Sequence, residues 1–200
     1  IDSVGDVGRF PSLAIGSNGF GVISYYDLTN GALKLALCTN AACSSASFVP
    51  IDGTNNSGQF SSLVLDAGKP RIAYYDATTR DLKYAKCNNV TCDAAQVTIE
   101  SVTTIGNVGE WSALTLVNPA KAFIAYWDAS TNEVKVAACS GPFTSCSTST
   151  ISVIESLPAG QVAEGIAVTT GRNGFAIMSY HVKGLASSRI VACGNASCTT

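Results

Sequence analysis

Charge, histidine, long apolar runs and helical periodicity are all scarce in this sequence, and each scarcity excludes something. Only 13% of the 200 residues are Asp, Glu, Lys or Arg, about half the roughly 25% of an average soluble domain. Twelve basic and 14 acidic residues leave a formal net charge of −2. No basic block is present to track phosphates, so nucleic acid is not an expected partner. No apolar run approaches the roughly 18 residues of a membrane span. No charged-then-apolar leader opens the chain, and Ile1 reads as the start of a mature or trimmed polypeptide. The single histidine, His181, allows no Ser-His-Asp order to be argued. No Asp-X-Asp-X-Asp-Gly loop announces calcium. No metal or other cofactor is expected. No stretch of about ten residues repeats at helical period, so helix content should be very low.

What is present is a core and a neutral surface. Hydrophobic residues make up 46% of the chain and 41 residues are Ser or Thr. Eight cysteines fall into four close pairs: Cys38 with Cys43, Cys87 with Cys92, Cys139 with Cys146, and Cys193 with Cys198. Zinc ribbons favour two-residue gaps and often recruit histidine, whereas the gaps here are four, four, six and four residues. A local disulfide in each pair fits better, and it implies an oxidising compartment, hence a secreted or surface-displayed protein. Asn55, Asn89 and Asn195 lie in Asn-X-Ser/Thr sequons, which matter only in a glycosylating host.

The chain is one unit written four times. The segments Ile23–Asp27, Ile72–Asp76, Ile124–Asp128 and Ile177–His181 align at spacings of 49, 52 and 53 residues. A Gly-X-aromatic start precedes the first three: Gly8-Arg9-Phe10, Gly58-Gln59-Phe60 and Gly109-Glu110-Trp111. A basic residue four places before a cysteine follows each: Lys34, Lys83, Lys135 and Arg189. Within a unit every signal is strand or turn, and Asn30-Gly31 is a strong hairpin dipeptide. Four short antiparallel strands in about 50 residues, repeated, describe the blades of a β-propeller. The expected fold is therefore all-β, with four four-stranded antiparallel blades near 8–52, 58–105, 109–157 and 160–200, each holding one local disulfide. The last unit lacks a fourth strand, and Ile1-Asp2 aligns with Ile51-Asp52. Residues Ile1, Asp2, Ser3 and Val4 thus form an assembly edge, able to complete the last blade in the same chain or in a neighbouring one.

Recurring side chains nominate a site. Asp27, Asp76 and Asp128 stand seven residues before Lys34, Lys83 and Lys135, placing acid opposite base across a two-residue turn. Such exposed pairs set register and contribute roughly 0–1 kcal/mol each, or they form a polar ring for sugar hydroxyls. Tyr26, Tyr75 and Trp127, beside those acids, are of the type that stacks on a pyranose, and equally of the type that packs blades. Phe10, Phe60 and Trp111 read as core. No pair of carboxylates is spaced convincingly for glycoside hydrolysis; Glu164 is the least explained acid, and no catalytic residue is nominated. His181 takes the aspartate position of the fourth unit.

The unit Gly-X-Phe-X-Ser-Leu, Ile-Ser-Tyr-Tyr-Asp, Asn-Gly-X-Leu-Lys-X-Ala-X-Cys resembles repeats common in large secreted bacterial proteins, described as β-propeller-like and without assigned activity. The resemblance covers nearly the whole chain and is best carried by residues 23–38 and 72–87. More distantly the chain looks like the propellers of fucose-binding lectins and sialidases. The lectin resemblance implies sugar sites between blades. The sialidase Ser-X-Asp-X-Gly-X-X-Trp box and arginine triad are absent. The expected function is a non-enzymatic extracellular recognition or adhesion module for glycans, with Tyr26, Tyr75, Trp127, Asp27, Asp76 and Asp128 as ligand contacts. The alternative is a structural subunit that binds other copies of itself through its incomplete terminal blade.

Overall fold

The computed structural model describes residues 2–54, 56–117, 121–140 and 145–199. Ile1 of the expected assembly edge and Asn55 of the first sequon lie outside the described residues. Alternating apolar and small polar residues produce antiparallel strands throughout, and one 3₁₀ turn, Ala94–Gln96, is the sole helical element among the described residues. The first blade contains β1 (Val7–Ile15), β2 (Gly21–Asp27), β3 (Ala32–Cys38) and β4 (Ala46–Asp52). The second contains β5 (Ser57–Asp66), β6 (Lys69–Asp76), β7 (Asp81–Cys87) and β8 (Val97–Thr103). The third contains β9 (Val108–Val117), β10 (Lys121–Asp128), β11 (Glu133–Cys139) and β12 (Ser149–Ser156). The fourth is a three-stranded meander of β13 (Val162–Thr170), β14 (Ala176–Lys183) and β15 (Ser187–Ala192). All four disulfides form within their own units. Together these sheets make a four-bladed propeller arrangement.

Each of the first three blades buries its rear face against the front face of the next. Leu33 and Leu35 on the rear of the first blade pack against Leu63, Ile72, Tyr74 and Ala85 on the front of the second. Leu82 and Tyr84 meet Leu114, Ile124 and Tyr126 in the same way, and Val134 and Val136 meet Met178, Tyr180 and Val182. A sheet one layer thick has two faces to cover, so the inner blades are buried on both sides, and enclosed charges such as Arg71, Asp76 and Asp128 are paired. The three internal interfaces use equivalent repeat positions, which is why one sequence unit suffices for all of them.

The first strands β1, β5, β9 and β13 lie innermost, and consecutive ones are in contact. They are joined by serine hydroxyls in place of ladder bonds: Ser61 Oγ donates to the Phe10 carbonyl (2.9 Å) and Ser112 Oγ to the Phe60 carbonyl (2.7 Å). Glycine is required where they enter the ring. A Cβ on Gly58 would stand 2.7 Å from Leu33 Cα, and one on Gly109 2.8 Å from Leu82 Cα, so the backbones meet directly.

Two expectations about the repeat are corrected. The hairpin after β2 is a four-residue loop, Leu28–Gly31, because Asp27 pairs with Ala32. Lys34 therefore faces Tyr25, and the aspartate reaches the lysine diagonally along the same face. In the fourth unit the alignment slips by one residue. Tyr180 faces Arg189 just as Tyr126 faces Lys135, so Tyr180 is the equivalent of Tyr126 and His181 of Trp127. Val182, fully buried, takes the aspartate position. The slip was invisible in the sequence because Ile177 mimics the recurring isoleucine of the other units, yet Ile177 faces out while Met178 faces the third blade.

Candidate functional site

Five of the six nominated contacts lie in the blade interfaces, and Asp27 lies beside Lys34 on the front face of the first blade. Tyr26, Tyr75 and Trp127 are 1%, 6% and 1% exposed, and Asp27, Asp76 and Asp128 are 0%, 0% and 2% exposed. Tyr26 donates its hydroxyl to Asn56 Oδ1 and Tyr75 to Asn107 Oδ1 (2.7 Å), each tying its blade to the next. Asp76 accepts N–H bonds from Thr78 and Thr79, and Asp128 from Ser130 and Thr131, closing the hairpin loops. The expected exposed ion pairs are in fact buried: Lys83 Nζ–Asp76 and Lys135 Nζ–Asp128 are both 2.6 Å, and Lys34–Asp27 is 3.5 Å. Burial pushes the Asp76 carboxyl up, but the Lys83 ammonium and the two backbone N–H groups outweigh it and bring it down to about 2.

A second acid reaches the front faces of the second and fourth blades from the preceding fourth strand. Asp52 accepts the Tyr74 hydroxyl (2.8 Å) and lies 3.7 Å from Lys83. Glu155 accepts the Tyr180 hydroxyl and the Arg189 Nε (3.3 Å). Desolvation and these carboxylates raise both tyrosines far above their ordinary range. On the first blade Asp2 performs the same role, accepting from Tyr25 Oη and Lys34 Nζ at 2.6 Å each. The Lys34 and Tyr25 bonds hold Asp2 down at about 2.

The accessible aromatic surface is elsewhere, on the axis. In each of the first three units a bulge follows the Gly-X-aromatic start: the register jumps between Arg9 and Ser12, between Gln59 and Ser62, and between the Glu110 and Ala113 pairings. Phe10, Phe60 and Trp111 sit at φ of 50°, 52° and 54°, a left-handed conformation that costs a bulky residue of order 1–3 kcal/mol. That conformation turns the three rings inward as a row, with centroids 4.5 Å apart between Phe10 and Phe60 and 4.8 Å between Phe60 and Trp111. Tyr26 and Tyr75 back them at 6.4 and 6.3 Å. In the fourth unit Gly165, at φ 60°, stands where the fourth ring would be. The missing ring opens a cavity of about 250 Å³ lined by Phe10, Pro11, Phe60, Ser61, Trp111, Ser112, Gly165 and Ile166.

All four innermost strands contribute to this cavity, and none of its lining residues is charged. The residue between glycine and aromatic is polar in the first three units, Arg9, Gln59 and Glu110, and Glu164 takes that place between Ala163 and Gly165 in the fourth. Glu110 accepts from Asn107 Nδ2 (2.9 Å), and Glu164 pairs with Lys183 (3.0 Å). The expectation that Phe10, Phe60 and Trp111 are simply core is corrected, since all three are only half-buried. The sequence did carry a signal, a glycine two residues before a ring in each of the first three units. Without the bulge geometry, that signal reads as strand packing. Among the described residues no cluster of three or more His, Cys, Asp or Glu is placed to hold a metal ion.

No family model matches the sequence, and no curated protein shows significant similarity to it. Solved structures do match in three dimensions. A protein of unknown function from Dyadobacter fermentans aligns with a TM-score of 0.65 at 10% identity, over 94% of this chain and 61% of the other. A thermostable family-43 glycoside hydrolase aligns with a TM-score of 0.61 at 10% identity, over 97% and 72%. An exo-β-1,3-galactanase from Clostridium thermocellum aligns with a TM-score of 0.56 at 14% identity, over 95% and 47%.

What the chain shares with them is the fold. It spans between 47% and 72% of their lengths. The expectation of a non-enzymatic protein is corrected by these likenesses, because the same architecture carries glycoside hydrolases and excludes no such chemistry. The disulfides fit a secreted protein. Among the described residues no helix is long and apolar enough to cross a membrane.

Proposed function

We propose that the protein engages neutral glycans at the axial cavity. The observation that carries this reading is the row of Phe10, Phe60 and Trp111 held in a strained conformation around a space that Gly165 leaves open. Backbone strain repeated three times is retained where surrounding structure enforces it, characteristically at ligand sites. Aromatic faces match the C–H faces of sugars. An uncharged lining favours neutral over acidic saccharides. The glycan-processing neighbours support the same substrate class.

Gly165→Phe gives a direct test. Its φ of 60° is the one that aromatic residues hold in the other three units, so the ring should fit the backbone and fill the cavity. Retention on a panel of immobilised neutral oligosaccharides should fall at least tenfold in Gly165→Phe and in Phe60→Ala. Undiminished binding by both variants would sink the site.

Hydrolysis is a second reading, favoured by Glu110 and Glu164, which occupy the same repeat position on adjacent innermost strands, opposite Trp127 and His181. A pair of carboxylates is what glycoside cleavage requires. Release of reducing ends from bound oligosaccharides, reduced on the order of a hundredfold or more in Glu110→Gln or Glu164→Gln, would support cleavage. No release by the wild type would refute it and leave binding standing.

A further inference from the structure

The ring is open between the fourth and first blades. Contacts link β1 to β5, β5 to β9 and β9 to β13, with no comparable set between β13 and β1. The two faces beside the gap are the same faces that are covered everywhere else. Leu13 on the first blade is 62% exposed, whereas its repeat equivalents Leu63 and Leu114 are 5% and 4% exposed. Ile190 on the rear of the fourth blade is 80% exposed, and the equivalent Leu35, Tyr84 and Val136 are each at 0%.

The first blade also carries the attachment points that the inner blades use. Gly58 and Gly109 are pressed against the preceding blade's backbone, but a Cβ on Gly8 would meet nothing within 4 Å. Asp6 stands where Asn56 and Asn107 accept a tyrosine hydroxyl from the preceding blade, and instead it holds Arg9. Asp2 already occupies the place of Asp52, at the end of a preceding fourth strand.

We propose that this wedge is the seat of one further blade of the same repeat type, entering ahead of Asp2 in the same polypeptide. The occupant is defined three times within the molecule, since every other front face with a Tyr–Lys or Tyr–Arg pair is covered by a blade's apolar rear face. Its size is set by curvature: Phe10-Pro11 of the first blade and Gly165-Ile166 of the fourth line one cavity, so the arc returns nearly on itself. That leaves room for a blade and not for a second four-bladed copy. The outer edge of β15, which among the described residues forms a strand ladder only with β14, stays outside this junction.

The test is a chain with a duplicate of residues 3–50 fused ahead of Ile1, so that its last strand runs into Ile1-Asp2 as β4 runs into Asp52. The fused chain should be monomeric and melt in one transition several degrees above the parent. Leu13→Asp should lower that transition by several degrees while leaving the parent chain within a degree or two. Independent melting of the added blade, or a dimer joined through these faces, would overturn the proposal. Should the fusion fail to fold, the parent chain decides: dye binding to exposed apolar surface must drop in Leu13→Lys/Ile190→Lys. Unchanged dye binding would show the ring closed on itself and refute the wedge.

Discussion

Asp76 shows how much a repeated acid–base motif depends on where it is buried. With its side chain fully enclosed and bonded to Lys83 at 2.6 Å, it cannot be valued as a surface pair. Asp76→Ala leaves Lys83 still paired with Asp52 at 3.7 Å but strips the Thr78 and Thr79 N–H groups of their acceptor. It should therefore lower stability by about 1–3 kcal/mol in urea titration, against less than about 1 kcal/mol if the pair were exposed. Acid should act in the same direction. The folded carboxyls of Asp76 and Asp2 sit at about 2, below the ordinary 3.8, so they bind fewer protons folded than unfolded. Their contribution is complete above pH 4 and is lost as pH falls from 4 towards 2. A melting series across that window should show a progressive loss, shallower in Asp2→Asn. The acids and lysines were legible in the sequence from their seven-residue spacing. Their burial was not, because spacing reports which face a residue shares and says nothing of whether another sheet covers that face.

At the scale of the element, the innermost strand does the most specialised work. Gly58 sits at φ +115° with the Leu33 backbone where a Cβ would be, while Gly8 sits at φ +89° with open space around it. Both substitutions to alanine meet the backbone penalty of roughly 1 kcal/mol, but only Gly58→Ala also forces two strands apart. Equilibrium unfolding should show Gly8→Ala costing about 1 kcal/mol and Gly58→Ala on the order of 3 kcal/mol or more, the scale of overpacking. The disulfides are a milder element. Each closes a separation of 5 or 7 residues, a loop too short to constrain the unfolded chain by more than about 2 kcal/mol. Replacing Cys38 and Cys43 by serine should lower stability by about that amount and expose the Thr39–Ala42 loop to proteases. Strand positions, turns and disulfide partners could be read from local patterns. The bulge that turns Phe10, Phe60 and Trp111 to the axis could not, since it depends on how β1, β5 and β9 converge.

For the whole molecule, the unequal treatment of equivalent positions is the main lesson. Leu35 and Ile190 occupy the same place in their units, at 0% and 80% exposure. Leu35→Ala should cost about 2–5 kcal/mol as a core truncation, and Ile190→Ala no more than about 0.5 kcal/mol as a surface change. A difference of that size, measured by denaturant unfolding, would confirm the open arc in solution. By itself the sequence determined the repeat, the all-β class, the blade order and the cysteine pairing. These follow from period-two alternation and short-range turn chemistry, which are written along the chain. Only the tertiary structure decided which aromatics face the axis, that the aspartates are enclosed, that the fourth unit slips by one residue and that two blade faces stay bare. All four depend on what lies across the gap from a sheet, and a strand carries the same alternation whether its face meets a neighbouring blade or water.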